Sequence, residues 1–347
     1  MTECRKKLIH INSTPYYHIS NHCVRGTYLI KEDNQYNKNG KLDQHRAQWF
    51  LDRLIQLSTI FCIDICAYSI LPNRYHLVLK VNISTAKHLT LIQVMKRWKQ
   101  IFNLPPLANK YANQEVLSTA EKESLDELKL QWRERLTNIS WFMRCLNETV
   151  SRKINKEEKC KGAFWQGRFK SQALLDSPAL LACIMFVDLA PIRAQLTQSL
   201  ENDYFTSINL RLSAFNQAQA EAEIYDVDHN DLAIVQQPTT LLPLDHMTRS
   251  GEKVHIPFHL PDYIELIIWT HRGIIQNKIP TNPIPTPRLL TLLSIKKKDW
   301  IETCRHFSHH YSHVAGSWSK MCEFSHQFNG KWCKGKRNSQ QLHPTSP

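Results

Sequence analysis

The chain has 347 residues, an apolar fraction of 42% and 44 Lys and Arg against 31 Asp and Glu, a formal net charge of +13. That is enough apolar material for one large or two ordinary cores, and the positive balance points to a polyanionic partner, the alternative being a merely basic soluble protein. The ten cysteines form no C-x-x-C pair and sit mostly in apolar segments, as reduced core thiols do, and no run approaches the ~18 apolar residues of a membrane span. With no apolar signal-like region near Met1, the expected compartment is the cytoplasm, or the nucleoid when DNA is bound.

In chain order, PYYHIS (15–20) is rich in aromatic and β-branched residues and predicts a first strand, followed by the basic segment NHCVRG. A polar loop, KEDNQYNKNGK, leads to a helix from about Asp43, its expected N-cap, through HRAQWFLDRLIQLS. FCIDICAYSI and YHLVLKV predict two strands joined by a turn at Leu71-Pro72-Asn73, a hairpin expected at the centre of a sheet. Residues 84–157 are mostly helical in pattern, with a charged middle third that resembles an inserted, solvated arm. GAFWQGRFKSQALL predicts a loop and strand, and SPALLACIMFVDLA a helix with Ser177 as N-cap, Pro178 in its first turn and an end near Ala190, because Pro191 disfavours helical geometry before it. From about 206 to 250 the texture is linker-like, and PFHLPDYIELIIWTHR onward predicts a smaller, basic, mainly helical domain over 251–347.

Six signatures taken together carry a family resemblance: TPYYHISNHCVRG, RAQWFLDRL, DICAYSILPNRYHLVLK, SWFMRCLNE, FWQGRFKSQALLD and ALLACIMFVDLAPIRA. In this order, over about residues 10–210, the chain resembles the HUH single-strand transposases, specifically the REP-associated tyrosine transposase branch; PDYIELIIWTHR is similar to the C-terminal region of one long subgroup. The resemblance implies an α+β fold over 1–205, ferredoxin-like, with a central antiparallel sheet flanked by helices and the 84–157 insertion. It also implies recognition of imperfect hairpins in single-stranded DNA, strand breakage through a phosphotyrosine link, and either a monomer or a homodimer.

Such chemistry needs a metal, because a tyrosine of pKa ~10 attacking a phosphodiester requires a polarised phosphate. In the family two histidines at i, i+2 on a strand share one face, and a Tyr-x-x-x-Asn helix supplies nucleophile and third ligand. Mapped by the resemblance, the first histidine position holds Arg74, which has no lone pair to donate; the nucleophile position holds Phe186; the asparagine position holds Ala190. Only His76 remains of the metal set. The expectation is that cleavage is lost and no cofactor is needed, with magnesium or manganese required if the chain is active through a modified site. A third reading is a non-enzymatic regulator that binds repeat DNA or RNA.

For binding, Trp165, Arg168 and Lys170 place an aromatic among cations, suited to stacking on unpaired bases and to phosphate contact, although Trp165 and Phe169 equally suit a core. His22 and Arg25 either meet DNA or solvate a turn. Arg74, facing the former metal pocket, either holds a phosphate or records drift. His306, His309, His310 and His313 lie at helical spacing, where i, i+3 and i, i+4 pairs can chelate a metal, but they fit no standard zinc pattern and suit a polar helical face, the expected reading. Lys296, Lys297 and Lys298, with Lys331, Lys334, Lys336 and Arg337, form either a second DNA patch or a solvated face.

Overall fold

A computed structural model describes residues 8–30, 44–201, 204–224, 236–245, 255–280, 285–327 and 333–343. The predicted loop 31–41, the expected N-cap Asp43, Lys331 and most of the 225–250 stretch lie outside the described residues. The chain forms two compact units: Met1–Gln44, Ile65–Leu79 and Gln166–Pro347 make one, and His45–Asp64 with Lys80–Trp165 make the other.

The second unit is helical: α1 (His45–Ile60), α2 (Ile83–His88), α3 (Leu91–Lys99), α4 (Pro106–Ala112), α5 (Thr119–Leu136) and α6 (Ile139–Glu157). In α1 the buried residues Ala47, Phe50, Leu51, Leu54 and Leu57 recur at helical spacing, so one stripe faces α6. Arg46, buried at the start of α1, bridges Glu157 (2.8 Å) and Glu158 (2.7 Å) at the end of α6. The charged arm expected in the middle of the insertion is α5, started by a capping box between Ser118 and Glu121; it buries Leu125, Trp132 and Leu136, and Trp132 stacks on Trp98.

The first unit is built on a sheet of β1 (Tyr16–His22), β2 (Ile63–Leu71), β3 (Arg74–Val81), β4 (Lys170–Leu174) and β5 (Val314–Ala315), in the order β2-β3-β1-β4-β5. The β2–β3 hairpin forms where it was predicted but occupies one side of the sheet; β1 takes the centre. β1 and β4 are antiparallel, pairing His18 with Gln172 and Ser20 with Lys170, while β4 and β5 are parallel. The sheet is therefore mixed at its C-terminal edge.

α7 (Ser177–Asp188) is buried at every position from Ala179 to Asp188, which its almost wholly apolar sequence requires. Its N-cap is Asp176, one residue earlier than expected: the carboxylate accepts the Ala179 amide at 3.1 Å, and Ser177 and Pro178 fill the first turn. α7 ends at Asp188, and a short turn of helix, α8 (Ala190–Arg193), carries Pro191 in its first turn.

The linker-like texture after 206 begins instead with a helix, α9 (Ser207–Ile224), because Ala, Gln and Glu are good helix formers and Ile208, Arg211 and Leu212 give it a buried face. The C-terminal region is α10 (Leu260–Ile275), α11 (Arg288–Leu292), α12 (Lys297–His310), α13 (Trp318–His326) and α14 (Lys336–Leu342). It belongs to the same compact unit as the sheet rather than to the separate domain that its texture suggested: β5 extends the sheet and α12 packs on α7. The buried carboxylate of Asp188 accepts hydrogen bonds from Ser207 and from Tyr263 of α10 (2.5 Å), tying α7 to both helices. No helix among the described residues is long and apolar enough to cross a membrane.

Candidate functional site

Alternation along three strands sends a set of polar side chains to one face of the sheet: Arg74 and His76 from β3, His18, Ser20 and His22 from β1, and Lys170 and Gln172 from β4. Over that face lies a cavity of about 1110 Å³, roofed by Phe186 of α7, Ile192 and Arg193 of α8, and Arg305, His306 and His309 of α12. Four permanent cations line it, Arg74, Lys170, Arg193 and Arg305, and no described lining residue is acidic.

The floor of the cavity is a chain of neutral polar contacts. Gln172 donates from Nε2 to the Ser312 carbonyl (3.0 Å), so its Oε1 accepts from Nδ1 of His18 (3.3 Å). Nε2 of His18 is then an acceptor, for Nδ1 of His76 at 3.1 Å, and the remaining lone pair of the pair is Nε2 of His76. The two imidazoles lie nearly parallel, 5.3 Å apart, with the Phe186 ring edge-on to both at 5.9 and 5.5 Å. Burial, together with nearby Arg193, pushes His18 down to about 4 against the help of Gln172, and burial with His18, Arg193 and Arg74 nearby also pushes His76 well down, so both are neutral at pH 7.

Arg193 lies over the Phe186 ring, 3.5 Å from its centre, and donates from Nε (3.2 Å) and Nη2 (2.8 Å) to the Phe186 carbonyl. Burial and the charge of Arg74 lower its pKa to about 9, which leaves it charged at neutral pH. Arg74 has its Nε buried without a hydrogen-bond partner. Arg305, by contrast, is engaged: it caps the end of α10 through the Gly273 and Ile274 carbonyls and reaches Asn277 at 2.7 Å.

Of the residues singled out from the sequence, the cavity gathers His22, Arg74, His76, Lys170 and Phe186, and also His306 and His309. Ala190 is buried at the start of α8 and does not line it; Arg25 and Arg168 are exposed elsewhere. Trp165, half-buried, lies in the helical unit, where its Nε1 donates to the Asn147 carbonyl (3.0 Å) and its ring packs against Phe50 and Phe164. His313 uses its carbonyl to hold Ala173 of β4, and the four histidines do not converge; among the described residues no three His, Cys, Asp or Glu side chains do. Lys296 and Lys298 at the start of α12, and Lys334, Lys336 and Arg337, are exposed away from the cavity.

Sequence reasoning missed His18, Gln172 and Arg193. The first two share the alternation that marked Ser20 and Lys170, but only the β1–β4 register places them beside His76.

A solved structure of a REP-associated tyrosine transposase bound to a REP hairpin is similar to this chain. The likeness covers 73% of this chain and 99% of that one, at 12% identity and a TM-score of 0.35. No protein-family model and no curated protein matches.

A magnesium or manganese ion prefers oxygen donors, carboxylates above all. The residues here do not fit one: the described lining has no carboxylate, one nitrogen of each histidine in the floor is spent on the other, and Arg74 and Arg193 stand where they would repel a dication. No tyrosine is among the described lining residues. Tyr68 and Tyr75 are buried and neither lines the cavity, and burial raises the Tyr68 hydroxyl well above its usual range.

Proposed function

We propose that the chain binds nucleic acid, with hairpin-bearing single-stranded DNA as its partner, and holds the strand in this cavity without cutting it. The observation that carries the reading is the lining itself: four permanent cations with no acidic residue and no tyrosine among the described lining residues, over a floor that offers hydrogen bonds. Phosphodiesters meet cations and polar groups there, and Phe186 offers the attacking position only carbon. The net charge of +13 favours the same partner by long-range attraction.

Two measurements test this. Incubated with hairpin DNA and manganese or magnesium, the protein yields no nicked strand and no covalent adduct; an adduct in denaturing gels overturns the loss of cleavage. At one fixed salt concentration, hairpin DNA binds more tightly than random single strands and than the matched RNA hairpin. Preference for the RNA replaces DNA as the partner, and equal affinity for all three removes hairpin recognition.

A further inference from the structure

We infer that Arg74 and Arg193 together hold a phosphate oxyanion directly, in the place where the resemblance puts a metal ion. The inference rests on the reading of this cavity as a nucleic-acid site and names the group recognised there: a phosphate, reached without a divalent cation.

Two like charges share one cavity. Arg74 projects from β3 and Arg193 from α8 into the same cavity, the charge of Arg74 disfavours that of Arg193, and neither forms an ion pair among the described residues. Their protein hydrogen bonds are few: Arg193 spends Nε and one Nη2 hydrogen on the Phe186 carbonyl, and Arg74 Nε is buried with no partner. A guanidinium has five donors, so most of those on the two side chains remain for a ligand.

Paired arginines without a carboxylate are costly to hold together unless an anion joins them, and a tetrahedral phosphate accepts the planar forks of two guanidiniums at once. Phe186 adds preorganisation, because its ring and carbonyl fix the plane of Arg193. Lys170 at the exposed rim supplies a third charge for the next phosphate along a strand. The two guanidiniums thus hold phosphate directly, with no divalent cation between protein and oxyanion.

The test uses the full chain in excess EDTA, with three probes: a hairpin oligonucleotide by fluorescence anisotropy, and inorganic phosphate and a nucleoside monophosphate by thermal shift. The expected result is hairpin affinity within twofold of that measured with magnesium. Arg74→Ala weakens it about tenfold and lowers the dependence of log affinity on log salt by about one. Arg74→Lys, which keeps the charge and loses the fork, falls between. Arg193→Lys behaves likewise if folded; because Arg193 packs on Phe186, the Arg74 variants carry the decision.

Unchanged affinity and salt slope in Arg74→Ala, or binding that vanishes in EDTA, overturns the inference while leaving DNA binding standing. A wild type that binds no nucleic acid, yet melts higher with inorganic phosphate or the monophosphate in an Arg74-dependent way, supports the phosphate site and overturns DNA as its source.

Discussion

Phe186 has nearly the volume of a tyrosine and none of its oxygen, and its surroundings pack closely on the ring. Arg193 covers one face of the ring, and the neutral His18–His76 pair meets its edge. A hydroxyl placed there is by itself insufficient: Phe186→Tyr forms no covalent adduct with hairpin DNA in manganese, because the described lining offers a metal no carboxylate and sets Arg74 and Arg193 against it. An adduct from this single variant overturns that account. Phe186→Ala removes the platform under Arg193 and leaves a hole beside Phe307; it destabilises the protein by about 3 to 5 kcal/mol, read by chemical denaturation.

Among the elements, α7 depends most on one side chain. The Asp176 carboxylate caps it through the Ala179 amide, accepts the Ser317 amide at 2.7 Å just after β5, and meets Nε2 of His343 beyond α14 at 2.9 Å. Burial by itself raises this carboxyl, but the bonds from His343, Ser317 and Ala179 outweigh it and hold the pKa below the ordinary aspartate value of 3.8. A depressed folded pKa means the folded state binds fewer protons than the unfolded one. The stabilisation is then complete above about pH 3.8 and is lost as pH falls through the folded value. Melting temperature should thus fall more steeply with acid below that pH in the wild type than in Asp176→Asn. Equal slopes remove Asp176 from the acid response.

In the helical unit Arg46 has the comparable position, buried between Glu157 and Glu158, whose own side chains are about a third exposed at 32% and 28%. Because water can still reach those carboxylates, Arg46→Ala costs only about 2 kcal/mol by denaturant unfolding, below the usual penalty for breaking a fully buried pair.

At the scale of the molecule, the C-terminal region completes the sheet and the cavity. Phe307 of α12 is fully buried and packs 5.9 Å from Phe186, and β5 forms the edge of the sheet. A chain ending at residue 205 exposes that core and loses the α12 wall of the cavity. It gives no cooperative melt, where a sharp transition with dispersed amide resonances shows instead that 1–205 folds alone.

The strands and most helices were legible in the sequence because each has a local cause: period-two or continuous apolar runs for β1 to β4, helical stripes for α1 and α10, prolines and caps at their ends. That Arg74, Phe186 and Ala190 offer neither a metal-donor lone pair nor a hydroxyl was legible for the same reason, since an atom missing from a side chain is missing in any fold. What the sequence left undetermined depends on pairing between distant segments. The central place of β1, the union of His18 with His76, the approach of Arg193 from α8 and the return of β5 to β4 each join residues far apart in the chain. Local propensity carries no information on such partners. They follow from which buried faces and backbone groups satisfy one another once the core closes, and that closure made a basic cavity from cations that, along the chain, are only scattered charges.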